Sequence, residues 1–146
     1  MKEAGASVGI NFTGKTDRAP NTLAAHALSE YAGRQEADKG EEGLQDRLME
    51  VLFRQYFTDG VYPDSAGLRA AAAEVGLDVA AATAYFEDED NWAEVRSADR
   101  NYKQGGIISV PYFMVNGAGV FSGARPPEQL VQAFNEAYTD SSDEED

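Results

Sequence analysis

A chain of 146 residues, 42% of them hydrophobic, is long enough to bury the core of one domain. Its net charge of -14 repels phosphate backbones and therefore disfavours sequence-independent binding of nucleic acid. The absence of cysteine excludes disulfides, thiolate metal sites and cysteine nucleophiles, and the single histidine, His26, excludes a metal site with several histidine ligands.

No apolar run approaches the roughly 18 residues that a membrane-spanning helix needs. The N-terminal segment also lacks the apolar stretch that is typical of a secretory signal. The sequence therefore predicts a cytoplasmic protein without a membrane partner, a nucleic-acid partner, a bound metal or a cofactor.

The first two thirds of the chain predict one strand and five helices. Residues 8–12 form a short, mainly apolar segment, which favours a strand. Residues 13–20 are predicted to be a polar connector. Apolar residues then recur with helical spacing, with capping residues such as Asn21 before the helices and glycines after them. The charged segments 35–43 and 87–90 are predicted to be a linker and an acidic break. The predicted helices cover 22–32, 44–57, 63–75, 79–86 and 91–104.

The last third of the chain has the pattern of a β-hairpin followed by a helix. Residues 107–115 are apolar, β-branched and aromatic, which predicts a strand. Asn116-Gly117 is a strong hairpin signal, and a return strand begins at Val120. Two prolines precede the last predicted helix, 128–138.

Residues 9–16, GINFTGKT, match the phosphate-loop pattern of nucleotide-binding proteins letter by letter. A phosphate loop needs a buried strand before it and a helix directly after it, because the helix N-terminus holds the phosphate. Pro20 would interrupt the first turns of such a helix. We therefore interpret the segment as a chance match.

Pro111 lies within the strand-like run and cannot donate a hydrogen bond to a sheet. It either begins a strand, which needs only space, or forms a cis bond that exposes the backbone of Val110 beside a site. The residues alone leave both interpretations open. His26 and Trp92 lie among apolar residues, and we interpret both as packed structural side chains.

Five segments that follow one another along the chain resemble a known family. Together they are similar to the DsbA-type thioredoxin-like proteins, and specifically to the FrnE-like branch. The resemblance covers about residues 8–138. The segments are RAPNTLAAHALSEYA at 18–32, LFRQYFTDG at 52–60, AAEVGLD at 72–78, GIISVPYFMVNG at 106–117 and VFSGARPPEQLVQAF at 120–134.

This resemblance implies an α/β fold, an incomplete thioredoxin-like fold with a large helical insertion. The predicted domains are a short strand and connector at 1–20, a helical insertion at 21–105 and the C-terminal part of a thioredoxin-like domain at 106–138. Residues 139–146 include five acidic side chains and are predicted to be a disordered acidic tail. The resemblance also implies thiol–disulfide chemistry at a Cys-x-x-Cys pair, which this chain does not contain.

The resemblance further implies that Pro111 is the cis proline that helps hold a peptide or protein substrate. Val110, Pro111 and Tyr112 are then the predicted substrate-binding residues, and no catalytic residue is predicted in the chain. The segment that would hold the Cys-x-x-Cys pair is expected to be missing, which would leave the strand at 107–115 with an unpaired edge. Residues 7–13 or another chain could complete that edge, or the chain could be a fragment of a longer protein.

The preferred functional hypothesis is a protein of the thiol–disulfide oxidoreductase class that is not redox-active as this chain. A first alternative is a non-catalytic module that binds peptides or proteins around Pro111. A second alternative is a glutathione-dependent isomerase of the same superfamily, because the residue that separates the two classes would also lie in the missing segment. A nucleotide-binding protein acting through 9–16 is the last alternative.

Overall fold

The computed structural model describes residues 2–16 and 19–142, which form mostly helices and one small sheet. The chain divides into two compact units, residues 1–98 and residues 99–146. The helices are α1 Lys2–Ala6, α2 Leu23–Lys39, α3 Leu44–Phe53, α4 Ser65–Glu74, α5 Val79–Phe86, α6 Glu89–Gln104 and α7 Pro127–Ser142, and the strands are β1 Tyr112–Val115 and β2 Ala118–Ser122. The boundaries predicted at 20, 105 and 138 stay predictions.

The core of the first unit lies among α2, α3, α4 and α5. Each of these helices contributes a large apolar side chain with almost no exposed surface: Leu28, Leu48, Leu68 and Phe86. Trp92 is partly buried against this core, and its indole nitrogen donates a 2.7 Å hydrogen bond to the Phe86 carbonyl. The unit is therefore a small helical bundle whose apolar faces meet inside.

Two predicted helix starts are confirmed by the geometry of their first turns. The Asp64 side chain accepts hydrogen bonds from the backbone N–H groups of Ala66 and Gly67 at the start of α4. The Asp78 side chain accepts one from Ala81 at the start of α5. Such caps satisfy backbone donors that have no partner inside the helix, so they can be recognised from the local sequence.

The predicted end of the first long helix at Gly33 is wrong, because α2 continues to Lys39 and ends at Gly40, which has φ 65°. Gly33 lies where α2 and α3 approach closely: a Cβ atom there would be 3.1 Å from the side-chain nitrogen of Gln45. The glycine therefore allows close packing rather than ending the helix. Most of the predicted linker 35–43 is helical as a result.

Glu36, near the end of α2, ties that helix to the start of α3. Its two carboxylate oxygens accept hydrogen bonds from the backbone N–H groups of Gly43 at 3.0 Å and Gln45 at 3.1 Å. The hydrogen bond from Gln45, followed by that from Gly43, lowers the pKa of Glu36 below its ordinary value of 4.5. The charged carboxylate is thus the form that the folded chain prefers.

This preference predicts an acid-sensitive contribution to folding. Because the folded pKa is the lower one, the contribution is complete above pH 4.5 and is lost as the pH falls through the lowered value. We expect the urea midpoint of Glu36→Gln to fall less between pH 5 and pH 3 than that of the wild type. Glu42→Gln is the control, since the exposed Glu42 carboxylate accepts no hydrogen bond from the described residues. If the urea midpoints of Glu36→Gln and the wild type fall equally between pH 5 and pH 3, Glu36 is not the source of this acid sensitivity.

The strand predicted at 8–12 is also wrong. Among the described residues α1 comes first, and the segment after it packs against the π-helical segment Arg54–Asp59, which follows α3. The backbone N–H of Thr13 donates to the Phe57 carbonyl at 3.0 Å, and the ring of Phe12 contacts that of Phe57 at 5.4 Å. Apolar residues 8–12 therefore find helical partners instead of a neighbouring strand.

The helix predicted at 44–57 changes its hydrogen bonding part-way. Helix α3 continues directly into a π-helical segment, Arg54–Asp59, which ends at Gly60 with φ 81°. Helix α6 begins at Glu89, so half of the predicted acidic break at 87–90 is helical, and the Asp88 side chain accepts a hydrogen bond from the backbone N–H of Asp90.

The second unit contains the β-hairpin and α7. Strand β1 begins at Tyr112 rather than at 107, because Pro111 has no N–H group to donate to the ladder. Asn116 and Gly117 have φ of 50° and 79°, which confirms the predicted tight hairpin turn. The register pairs Phe113 with Phe121 and shifts between Phe113 and Met114.

Helix α7 runs to Ser142, four residues beyond its predicted end, so part of the predicted disordered tail is helical. No glycine or proline separates Tyr138 from Ser142, and nothing in the sequence stops the helix there. The rest of the tail, 143–146, lies outside the described residues. The side chains of Val131 and Phe134 are more than half exposed on this helix.

Among residues 2–16 and 19–142, no helix combines the length and the apolarity that crossing a membrane requires. The same residues contain no group of three or more acidic or histidine side chains arranged to hold a metal ion.

Candidate functional site

The loop 107–111 connects α6 to β1 and carries the predicted site residues. Gly106, with φ 89°, turns the chain out of α6, and the backbone N–H of Ile107 donates to the Tyr102 carbonyl at 3.0 Å. The Val110–Pro111 peptide bond is cis. The Pro111 carbonyl accepts a 2.8 Å hydrogen bond from Gly123, just after β2, which ties the loop to the end of the hairpin.

Two large aliphatic side chains of this loop, Ile108 and Val110, are exposed. The two side chains are 86% and 85% exposed, which is unusual for large aliphatic residues so close to each other. Among the hydrogen bonds between described residues, none uses the backbone N–H or C=O of Val110. The side chain of Val110 is therefore open to a ligand, and its peptide groups have no hydrogen bond within the described residues that a ligand would have to break.

These residues line a shallow groove of about 550 Å³. Its floor and walls are mainly apolar or aromatic and come from the end of α6, the loop and β1. They include Tyr102, Ile107, Ile108, Val110, Tyr112 and Met114. Asp99 and Lys103 also line it, and they form an ion pair of 2.7 Å with each other, so their charges offset one another.

Tyr112 is held by the hairpin. Its backbone pairs with Ser122, and its hydroxyl group lies directly against Gly119 on the neighbouring strand. A side chain at Gly119 would collide with that hydroxyl, so glycine there permits the position of the Tyr112 ring. The neighbouring Ser109 and Ser122 hydroxyls form a hydrogen bond that joins the loop to β2.

The three predicted site residues, Val110, Pro111 and Tyr112, are adjacent in sequence but differ in their position relative to the groove. Val110 and Tyr112 line the groove, whereas Pro111 is exposed beside it and is not part of the lining. Ile108 and Met114 were missed as site residues because the apolar run 107–115 was interpreted as one continuous strand. Their exposure, which the run itself does not reveal, depends on where the strand begins.

The phosphate-loop match at 9–16 has a different setting. The helix α1 and a turn precede it, and α2 begins only at Leu23. The side chain of Lys15 lies against Gly60, where a Cβ atom would be 2.6 Å from the Lys15 Cβ. The described residues therefore do not form the strand–loop–helix arrangement that binds phosphate. Asp17 and Arg18, which follow the match, lie outside the described residues.

Comparison with known families identifies the family of this chain. The sequence model described as the DSBA-like thioredoxin domain matches residues 1–135. The chain belongs to the DSBA-like thioredoxin domain family. No curated protein matches it. The seven helices and the two-stranded sheet of the described residues agree with the predicted α/β class, an incomplete thioredoxin-like fold with a helical insertion.

The DSBA-like thioredoxin domain family is of the thiol–disulfide oxidoreductase type. Thiol–disulfide exchange requires a thiolate that attacks a disulfide, and none of the 146 residues is a cysteine. The chain therefore contains no thiolate that could attack a disulfide and no cysteine pair that could form one. What the structure does present is the exposed apolar groove at Val110.

Proposed function

We propose that this chain is the polypeptide-binding part of a FrnE-like thiol–disulfide oxidoreductase domain, and that by itself it binds extended peptides without exchanging disulfides. The observation that carries the proposal is the groove of about 550 Å³ beside the cis Val110–Pro111 bond, with exposed Ile108 and Val110 side chains. The five sequence segments that resemble FrnE-like proteins support the assignment to the FrnE-like branch of the family.

The backbone of Val110 supports binding of an extended chain. Its N–H and C=O groups have no hydrogen-bond partner among the described residues, and only Pro111 separates Val110 from β1. An extended peptide could pair with these groups as a short added strand, which provides affinity independent of the peptide's sequence. The Val110, Pro111 and Tyr112 triplet would then be the substrate-binding residues.

The lining of the groove supports a preference for apolar side chains. Ile108, Val110 and Met114 are all more than half exposed, and each would lose contact with water when a peptide covers it. Because the chain carries a net charge of -14, we expect apolar peptides with flanking lysines to associate faster than acidic ones.

The edge of β1 supports a second partner. In the described part of the chain β1 pairs only with β2, so its other edge has unpaired backbone groups. Such an edge accepts a further strand. Residues 7–13 contribute none, since they contact the helical unit, and we therefore propose that a strand from another polypeptide completes this edge.

Peptide binding provides the test of this proposed function. We expect an extended, cysteine-free apolar peptide with terminal lysines to bind the full chain, and Val110→Asp to weaken that binding by about tenfold or more, since a buried carboxylate without a partner costs over 1.4 kcal/mol. Fluorescence polarisation of the labelled peptide measures the dissociation constant. Val8→Asp is the matched control, because Val8 is 70% exposed in the other unit.

Two results would contradict the proposal. If the wild type binds none of the apolar peptides, or if Val110→Asp and Val8→Asp bind them equally well, the groove is not a polypeptide site. The redox part has its own test: the chain should not accelerate reduction of insulin disulfides by dithiothreitol above the rate without protein, because it has no thiol.

A further inference from the structure

A second cavity, separate from the groove at Val110, lies within the helical unit. It has a volume of about 280 Å³ and opens between the start of α2, the end of α3 and the π-helical segment 54–59. We name it the α2–α3 pocket. Its lining includes Ala25, His26, Met49, Leu52, Phe53 and Phe57. None of the described residues that line it carries a carboxylate, an ammonium or a guanidinium group.

The π-helical segment shapes one wall of this pocket. Helix α3 ends at Phe53, and the wider turn that follows places Tyr56 and Phe57 beside it on the same side. The ring of Phe57 lies 5.0 Å from that of Tyr56 and 6.2 Å from that of Phe53. Isolated π-helical turns are often found at functional sites, and here the turn produces an aromatic wall.

His26 is a polar residue of the lining, beside the hydroxyl-bearing Thr22 and Tyr56. It is the only histidine of the chain, and its side chain is exposed instead of packed and hydrogen-bonded as expected from the sequence. Its backbone N–H donates to Thr22, but no hydrogen bond of the imidazole is found among the described residues. A neutral imidazole carries one donor and one acceptor, so a ligand in the pocket could pair with either.

We propose that the α2–α3 pocket binds a small, neutral aromatic molecule with one N–H or O–H group, which donates a hydrogen bond to the His26 imidazole. The ring system would lie against Phe53, Phe57 and Leu52. This ligand site is independent of peptide binding at Val110, and none of the residues that form it belongs to the proposed peptide site.

The size and charge of the pocket determine the ligand class. An apolar cavity of about 150 Å³ in another protein accommodates benzene, so about 280 Å³ suits a molecule of two fused rings. An anionic ligand is disfavoured because no described lysine or arginine lines the pocket and the chain is acidic overall. Stacking and edge contacts with the aromatic wall favour flat rings over branched aliphatic molecules.

Indole and indene are the probes that test this proposal. The two molecules have nearly the same shape, but only indole carries an N–H group. We expect both to bind the full chain in a titration followed by ¹H–¹⁵N correlation spectra, with the largest shifts at the amides of Ala25, Leu52 and Phe57. Indole should bind about three- to tenfold more tightly, the range of one hydrogen bond.

Two variants separate the polar contact from the cavity. His26→Phe keeps a ring at this exposed position but removes the imidazole, so indole and indene should bind it equally. Ala25→Leu fills the pocket, and both probes should bind at least about tenfold more weakly. Ala70→Leu, at an exposed position of α4 outside the pocket, is the matched control and should bind as the wild type does.

The proposal fails if neither probe binds the wild type, or if the shifted amides cluster around Val110 instead of the α2–α3 pocket. It also fails if Ala25→Leu, shown by its circular dichroism spectrum to be folded, binds both probes as the wild type does. If Ala25→Leu does not fold, the comparison of indole with indene on His26→Phe alone tests the proposal. If His26→Phe still binds indole more tightly than indene, as the wild type does, His26 does not accept the hydrogen bond and the proposal is wrong.

Discussion

Replacing Phe86 with alanine is expected to lower the free energy of unfolding of the helical unit by about 3–5 kcal/mol. Only 1% of the Phe86 side chain is exposed, and it lies in the same core as Leu28, Leu48 and Leu68. Alanine would leave a cavity that these helices can close only in part. The loss is a large fraction of the roughly 5–15 kcal/mol that typically stabilises a domain.

Urea denaturation followed by tryptophan fluorescence measures this effect. The only tryptophan, Trp92, is bonded to the Phe86 carbonyl and therefore reports on this core directly. Phe53→Ala is the control, because Phe53 is 49% exposed and should lose about 1 kcal/mol or less. Equal losses for the two variants would contradict the assignment of Phe86 to the core.

Replacing Gly67 with alanine is expected to destabilise the same unit by about 1–3 kcal/mol, although alanine normally favours a helix. A Cβ atom at Gly67 would collide with the carbonyl oxygen of Tyr62 and would lie 3.3 Å from Val61 Cγ1. The colliding atom belongs to the backbone and cannot rotate away. The first turn of α4 would therefore have to shift, although the Asp64 side chain holds it by accepting a hydrogen bond from the Gly67 backbone N–H.

Gly105→Ala is the matched control for Gly67→Ala. A Cβ at Gly105 would make only ordinary contacts, at 3.4 Å from the nearest atoms, so its midpoint for thermal unfolding should stay near that of the wild type. If Gly67→Ala melts at or above the wild-type temperature, the close approach of the 61–62 loop to α4 is not rigid, and the explanation is wrong.

The sequence predicted the features whose cause is local. The predicted starts of the helices at 63–75 and 79–86 depend on Asp64 and Asp78, whose side chains act within three residues of themselves. The Asn116-Gly117 turn depends on the backbone preferences of two adjacent residues. The family was identified from five segments in series, which do not depend on how the segments pack. The assignment of Val110, Pro111 and Tyr112 to substrate binding, which the same resemblance implies, stays a prediction.

Other features could not be predicted because they depend on residues distant in sequence. Gly33 has the pattern of a helix end, yet α2 continues through it since Gln45 packs against it from α3. Residues 8–12 have the pattern of a strand, yet Phe57 rather than a second strand lies beside them. In each case a tertiary contact outweighed a local preference of about 1 kcal/mol.

The sequence by itself determined the family, the order of the helices from α2 to α7 with the hairpin before α7, and the absence of any cysteine thiol within these 146 residues. Only the tertiary structure decided which apolar residues are buried and which remain open. Ile108 and Val110 are as apolar as Leu28 and Leu48, but the former pair belongs to a loop that nothing described covers. Burial depends on what packs against a side chain, and apolar character alone does not reveal that partner.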